Sequence, residues 1–379
     1  MTQISSALNT YINVNILLVV AFTLWLLARF LLKNLKMQHS FATQLRLLNG
    51  IFIATLLSPL VAYLYNYLAA NGLLPASLRF NLSDFMLTQY LNGNIDLKPV
   101  EMEQVLTIRE TLETSLINPG GGLGRAIVAL VLIGFAACIL RCSLAATRLR
   151  RIIAQSYPWR RFGHIHLRLS DQSVVPFSTR GLRRRYIVLP AEMLLRPQDM
   201  RIALAHEFQH LRQHDVEWEI GFELFKSFFF WNPVVHFWKR QIEQLRELSC
   251  DQQVLLRHRV DVRAYCDCLL RVCEDTLKRQ PLKRIALPRI SLVQFDRSWF
   301  RAPGLVLLRR RVDSLFETGA APDRKMASFW LMGLLTLILL FATIAIQRPQ
   351  GWSHDRLMLS SIINLERLEE LNGKYPIMR

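Results

Sequence analysis

Ala205-His206-Glu207-Phe208-Gln209-His210 is the stretch on which the reading turns. On a helix, positions i and i+4 share a face, so the imidazoles of His206 and His210 can reach one ion. Glu207 follows the first histidine and is placed to accept a proton from an attacking water. The flanks, Met200-Arg-Ile-Ala-Leu204 and Leu211-Arg-Gln213, suit a helix. His-Glu-x-x-His also arises by coincidence, and catalytic zinc sites usually have three protein ligands and one open position. A third ligand is therefore needed.

His214 continues the stripe of 206 and 210, but eight residues of helix advance about 12 Å. Ligands must all sit about 2 Å from one zinc. The better candidate is Glu247, in Glu247-Leu-Ser-Cys-Asp251. The intervening Glu219–Lys239 stretch is rich in Phe and Trp but broken by Glu219, Glu223, Lys226 and Asn232-Pro233. It makes a poor bilayer span and reads as a buried or membrane-skimming helix turning at Asn232-Pro233. The next helix would return antiparallel and carry Glu247 to the histidines. Asp251, one turn further on, could accept the free N–H of a ligand imidazole and fix its tautomer.

Working outward, the 379 residues are about half hydrophobic (51%), yet the net charge is +18. That pairing is foreign to most soluble proteins and fits a membrane protein whose basic residues collect on one side. Direct nucleic-acid binding is not expected, because apolar spans explain the charge distribution better. Four runs are long enough to cross hydrocarbon: about 15–32, 47–70, 123–146 and 328–346. The first reads as a retained span rather than a cleaved leader. Lys33, Lys36 and Arg46 lie between the first two, with no acid. Between the second and third, Asp84, Asp96, Glu101, Glu103, Glu110 and Glu113 outweigh Arg79, Lys98 and Arg109. Arginines flank the long segment from 147 to 327. Basic loops stay inside. The N-terminus, the 71–121 loop and the 347–379 tail are expected outside, and 147–327 in the cytoplasm.

Within 147–327, His166–Ser170 and Tyr186–Leu189 read as strands, and Pro197 to about Tyr265 as mostly helical. Ala286–Gly304, with three prolines, reads as irregular. Cys266-x-Cys268 is too tight for a zinc pair and reads as structural. The tail 355–371 has an amphipathic helical pattern.

These features together resemble the BlaR/MecR membrane metallopeptidases. The resemblance rests on the four spans, the inside His-Glu-x-x-His, the downstream Asn-Pro and Glu-x-x-Cys-Asp. It also rests on Val175-Pro-Phe-Ser-Thr-Arg-Gly181 ahead of Ile187-Val-Leu-Pro190, on Asp215, and on Arg310-Arg-Val-Asp-Ser-Leu-Phe316. It runs in order over about 12–346 and is dense at 174–255. It implies a multi-pass α-helical membrane protein with an inserted α+β gluzincin-like zinc protease domain in the bacterial inner membrane. It implies one zinc held by His206, His210 and Glu247, Glu207 as general base, and Asp215 and Asp251 behind the ligands. The antibiotic sensors carry a penicillin-binding domain after the last span; the 33 residues of 347–379 contain no Ser-x-x-Lys. Acylation by a β-lactam is therefore not implied. Regulated proteolysis of a cytoplasmic protein is, a DNA-binding repressor or the chain itself, with the signal expected through the 71–121 loop, the short tail or a membrane or periplasmic partner. An HtpX-like quality-control protease is the alternative, and a non-catalytic membrane scaffold a second.

Overall fold

The computed structural model describes residues 2–35, 37–73, 81–99, 101–104, 114, 122–181, 183–258, 260–279, 303–317, 325–347, 358 and 361–365. The chain divides into two compact units. The first gathers 1–25, 50–131 and 329–379, the second 26–49 and 132–328. Most of the Ala286–Gly304 stretch lies outside the described residues, as does most of the 355–371 tail pattern.

Among the described residues, four helices are long and apolar enough to cross a membrane: α1 (Thr2–Asn34), α2 (Phe41–Ala70), α4 (Gly122–Gln155) and α10 (Lys325–Ala345). Each runs past the apolar stretch that announces it, because helix propensity does not stop where hydrocarbon would. In the first unit, α3 (Leu82–Leu91) is capped by Asn81, whose side chain accepts from Ser83 N. The Asn81 amide also donates to Gln347 O at 2.7 Å. Leu87, Met102 and Ile363 close a small apolar cluster there.

After α4 the second unit continues with a four-stranded sheet in the order β1-β2-β4-β3. Its strands are β1 (Tyr157–Phe162), β2 (Ile165–Ser170), β3 (Phe177–Arg180) and β4 (Arg185–Pro190). The β1–β2 and β3–β4 pairs are antiparallel and β2–β4 is parallel. The unbroken apolar run Ile187-Val-Leu189 belongs to a strand covered on both faces, and all three are fully buried. β1 tolerates Pro158 because it is an edge strand with a register shift between Pro158 and Arg160.

Five helices follow: α5 (Pro197–Arg212), α6 (Asp215–Phe228), α7 (Pro233–His258), α8 (Val262–Arg279) and α9 (Pro303–Glu317). Pro197 opens α5 at its first turn, where a missing N–H costs nothing. One face of α5 lies on the sheet through Leu211 against Leu167, Ile187 and Leu189. The other enters a core of Ile202, Ala203, Val254, Tyr265, Leu269 and Leu315, contributed by α5, α7, α8 and α9. Each large aliphatic chain there contributes about 1.5–3 kcal/mol. Cys266, Cys268 and Cys273 belong to this core as free thiols.

Candidate metal centre

His206, Glu207 and His210 sit on α5 between sheet and helical core, and all three are fully buried. The α6–α7 turn falls where Asn232-Pro233 predicts it, with Asn232 Oδ1 accepting from Val234 N. α7 then runs back and brings Glu247 beside the histidines. Glu247 Oε2 is 3.6 Å from His206 Nε2, and Oε1 is 3.6 Å from His210 Nε2. The two Nε2 atoms are 3.0 Å apart.

Hydrogen bonds on the far edges of the rings assign their tautomers. His210 Nδ1 donates to Asp215 Oδ2 at 2.7 Å. Tyr265 gives its own proton to Asp251 Oδ1 at 2.6 Å, so its oxygen accepts from His206 Nδ1 at 2.9 Å. Both Nδ1 atoms therefore carry the proton, and both Nε2 atoms present lone pairs to the same point. Two lone pairs 3.0 Å apart repel unless a cation lies between them. The four carboxylate oxygens of Glu207 and Glu247 are buried without a hydrogen-bond partner. Buried polar atoms are rarely left so. A zinc ion bonds nitrogen at about 2.0–2.1 Å and carboxylate oxygen at about 2.0–2.2 Å. Donor separations of 3.0 and 3.6 Å lie within the span of one such ion, so the residues fit the metal.

Asp215 reaches His210 because the chain turns at His214, whose φ of 59° lies in the left-handed region. A histidine tolerates that conformation better than a β-branched residue. His214 itself is exposed and contacts Arg185 and Glu217 rather than the metal-facing pair. Asp251 lies 3.4 Å from His206 Nδ1 and reaches it through the Tyr265 hydroxyl, a bridge the sequence did not disclose. Tyr265 is thereby occupied behind His206. Arg246 is occupied as well, 2.8 Å from Glu219 Oε2 and 3.7 Å from Asp215 Oδ1. His236 is exposed and bonds Phe230 O. Tyr265, Arg246 and His236 are thus all engaged away from the point the two Nε2 atoms face.

Two further neighbours were not foreseen. Cys250 Sγ is 3.5 Å from His206 Nδ1, on the ring edge away from Glu247. A group of His206, His210 and Cys250 is compact enough to hold an ion, but the Nε2 atoms face Glu247, and we favour the carboxylate. The larger omission is Arg311 of α9. It grips Asp251 through two hydrogen bonds, and its Nη1 lies 3.1 Å from Glu247 Oε2, an ion-pair distance without hydrogen-bond alignment. Arg311 is 2% exposed, so its charge is stabilised by these carboxylates and not by water.

The electrostatics follow. Burial would raise the Glu247 pKa, but the Arg311 guanidinium is the main opposing cause, and the carboxyl is held at about 2. Glu207 has no such cation in contact, and burial raises its pKa above the ordinary 4.5. Ser178 on β3 is its polar neighbour. Burial, then Asp251, pushes the Tyr265 phenol well above its usual range, so it stays a donor. One carboxylate is held ionised and its neighbour is disposed to take a proton.

Residues 125–285 match the family model described as BlaR1 peptidase M56. That segment contains His206, Glu207, His210, Asp215, Glu247, Asp251 and Tyr265; Arg311 lies beyond it. No curated protein matches the chain.

Proposed function

We infer, from a chain that its residues 125–285 make a BlaR1/MecR-type member of the M56 peptidase family, that this protein is a membrane zinc metalloendopeptidase acting in regulated proteolysis. The observation that carries the reading is the pairing of a lone-pair cluster, Nε2 of His206 and of His210 with Glu247, and a buried Glu207 whose carboxylate has no hydrogen-bond partner. A purely structural site has no use for the second carboxylate. We read the soluble part of the second unit as a gluzincin-like α+β domain.

In this reading His206, His210 and Glu247 hold one zinc. Bound there, zinc supplies Lewis acidity to the scissile carbonyl and lowers the pKa of water. Glu207 takes the proton of the attacking water on a carboxylate oxygen and returns it to the amine that leaves. Asp215 and the Tyr265–Asp251 pair keep both histidines in the tautomer that frees Nε2. Arg311 keeps Glu247 ionised.

The topology is part of the proposal: N-terminus outside, 71–121 and 347–379 outside, 147–327 in the cytoplasm. Two sets of contacts support the sidedness. Gln252 bonds His39 O and Gln241 accepts from Arg29, so the turn between α1 and α2 keeps company with the peptidase unit. Asn81 bonds Gln347, and Ile363 packs with Leu87. The substrate is then a cytoplasmic protein, and a DNA-binding repressor or the chain itself is the one we propose.

The test compares wild type with Glu207→Gln in cells, profiling cytoplasmic proteins and the chain itself for new termini. The substitution keeps size and polarity and removes the base. Zinc content of the purified proteins should be near one per chain in both, and the cleavage products should vanish only in the variant. Identical termini in both would overturn the protease reading in favour of a scaffold. Loss of many unrelated misfolded substrates, rather than one, would favour quality control. Zinc content unchanged in both His210→Ala and Glu247→Ala would overturn the ligand assignment.

A further inference from the structure

The arm formed by the end of α6, the turn and the start of α7 has its polarity inverted. Across 215–233 the exposed residues are Ile220, Gly221, Leu224, Phe228, Trp231 and Pro233, with no charged or polar one among them. Ile220, Leu224 and Phe228 are each 48–53% exposed and form one i, i+4 stripe; Trp231 and Phe237 are exposed to 51% and 54%. The charges of the arm are turned inward. Glu219 pairs with Lys239 and Arg246, and Glu223 pairs with Lys226 and Lys239. A hairpin standing in water shows the opposite arrangement, and contiguous exposed apolar surface marks a contact with something other than water.

The position of the arm identifies the contact. Its tip lies against α4: a Cβ on Gly134 would meet the Phe230 ring at 2.1 Å, so only glycine lets the ring approach. The rings of Phe135 and Phe228 meet at 5.0 Å between centroids, tilted by 43°. Cys142 Sγ lies 4.0 Å from Ser227 Oγ. Gly134 falls at the midpoint of the apolar run 123–146, roughly 18 Å of helix from Ala146. From Ile220 to Phe228 the arm itself advances about 12 Å. Half the hydrocarbon thickness is about 15 Å. The exposed Arg212 and His214 precede the apolar stripe on one side and the exposed Arg240 follows it on the other, while His236, near the tip, has its ring nitrogen taken up by Phe230 O at 2.8 Å.

We propose that residues 220–237 are a re-entrant hairpin inserted into one leaflet of the bilayer, its apolar stripe in contact with lipid acyl chains and its tip at the depth of Gly134. The arm is helical on both sides of its turn, so its backbone groups are largely satisfied within it, as a hydrocarbon surrounding demands. Its inward charges are neutralised in pairs. The metal-bearing helix α5 is thus joined, through His214 and Asp215, to a segment anchored in lipid.

The experiment uses the full chain reconstituted in phosphatidylcholine–phosphatidylglycerol vesicles. Nitroxide is attached through p-acetylphenylalanine at Ile220, Leu224, Phe228 or Trp231, with Arg240 as the aqueous control. Collision with oxygen should exceed collision with a water-soluble nickel chelate at all four sites, and the ratio should rise from 220 to 228. Free access of the nickel chelate overturns the proposal. Access of neither quencher also overturns it, because the stripe is then covered by protein, a second copy included. Should a probe disturb folding, the unmodified protein serves: a lipid-soluble carbene reagent should mark 220–231 as it marks the four spans. Marked spans with an unmarked arm overturn the insertion. None of these readouts depends on peptidase activity.

Discussion

Arg311 donates two hydrogen bonds to Asp251, Nε to Oδ2 at 2.7 Å and Nη2 to Oδ1 at 2.6 Å, across 60 residues of sequence. The pair is planar on planar and sealed from solvent, the geometry in which a guanidinium is worth most. Breaking one partner of such a pair leaves an uncompensated buried charge and costs about 3–5 kcal/mol. Arg311→Gln should lower the melting temperature strongly, and Arg311→Lys should recover only part, since an ammonium cannot serve both oxygens. The loss should be largest after chelation and smaller with zinc, because the ion replaces the missing positive charge beside Glu247. An equal loss with and without metal would separate Arg311 from the metal centre.

Tyr265 lies in the α5–α9 core, so Tyr265→Phe keeps the ring and its packing while removing the bridge between His206 and Asp251. Groups behind a ligand histidine typically govern about 10–100-fold in metal affinity or activity. A loss of that size in zinc affinity, measured against a competing chelator, is expected with little change in the chelated protein's melting temperature. Unchanged affinity would mean that Asp251 reaches His206 without help.

The depressed pKa of Glu247 carries a sign. Its folded value of about 2 lies below the ordinary 4.5, so ionised Glu247 adds stability above about pH 4.5 and loses it as pH falls toward 2. In chelated protein, the stability gap between wild type and Glu247→Gln should narrow as pH is lowered from 6 toward 3, each value approximate. A gap that widens on acidification would show the carboxyl to be favoured in its protonated form.

Sidedness is tested by labelling. A cysteine placed at Asn94 should react with an impermeant maleimide applied to intact cells, and one placed at Lys283 should react only after lysis. The reverse pattern would remove the cytoplasmic substrate along with the topology.

Much of the centre was legible because it is local or periodic. His206 and His210 share a helix face, Asn232-Pro233 announces a turn, and a helix returning from that turn has to pass the first. β2 shows by its alternation and β4 by its apolar run. β1 escaped because Tyr157-Pro-Trp-Arg-Arg-Phe162 is largely exposed and lacks a buried face to impose a period. β3 escaped because four residues are too few. Arg311 escaped for a different reason. In Arg309-Arg310-Arg311 the three look alike, and such a run reads as solvated charge near a membrane. Packing alone distinguishes them: Arg309 stands in solvent beside Asp313, while Arg311 is buried. Tyr265 could have been found only by knowing where α8 passes.

The route of Arg311 to its partners bears on synthesis. The chain leaves the ribosome from its N-terminus, so α5 and α7 emerge with Glu247 and Asp251 well before α9 brings their countercharge. Until α9 docks, the two acidic groups lack the guanidinium that lies between them in the folded chain, and the nascent protein has reason to keep them apart and in water. The pocket beside Glu247 therefore closes only after residues 303–317 have been made, and α10 follows directly behind. A chain made only as far as α8 carries Glu247 and Asp251 with the place of Arg311 still open.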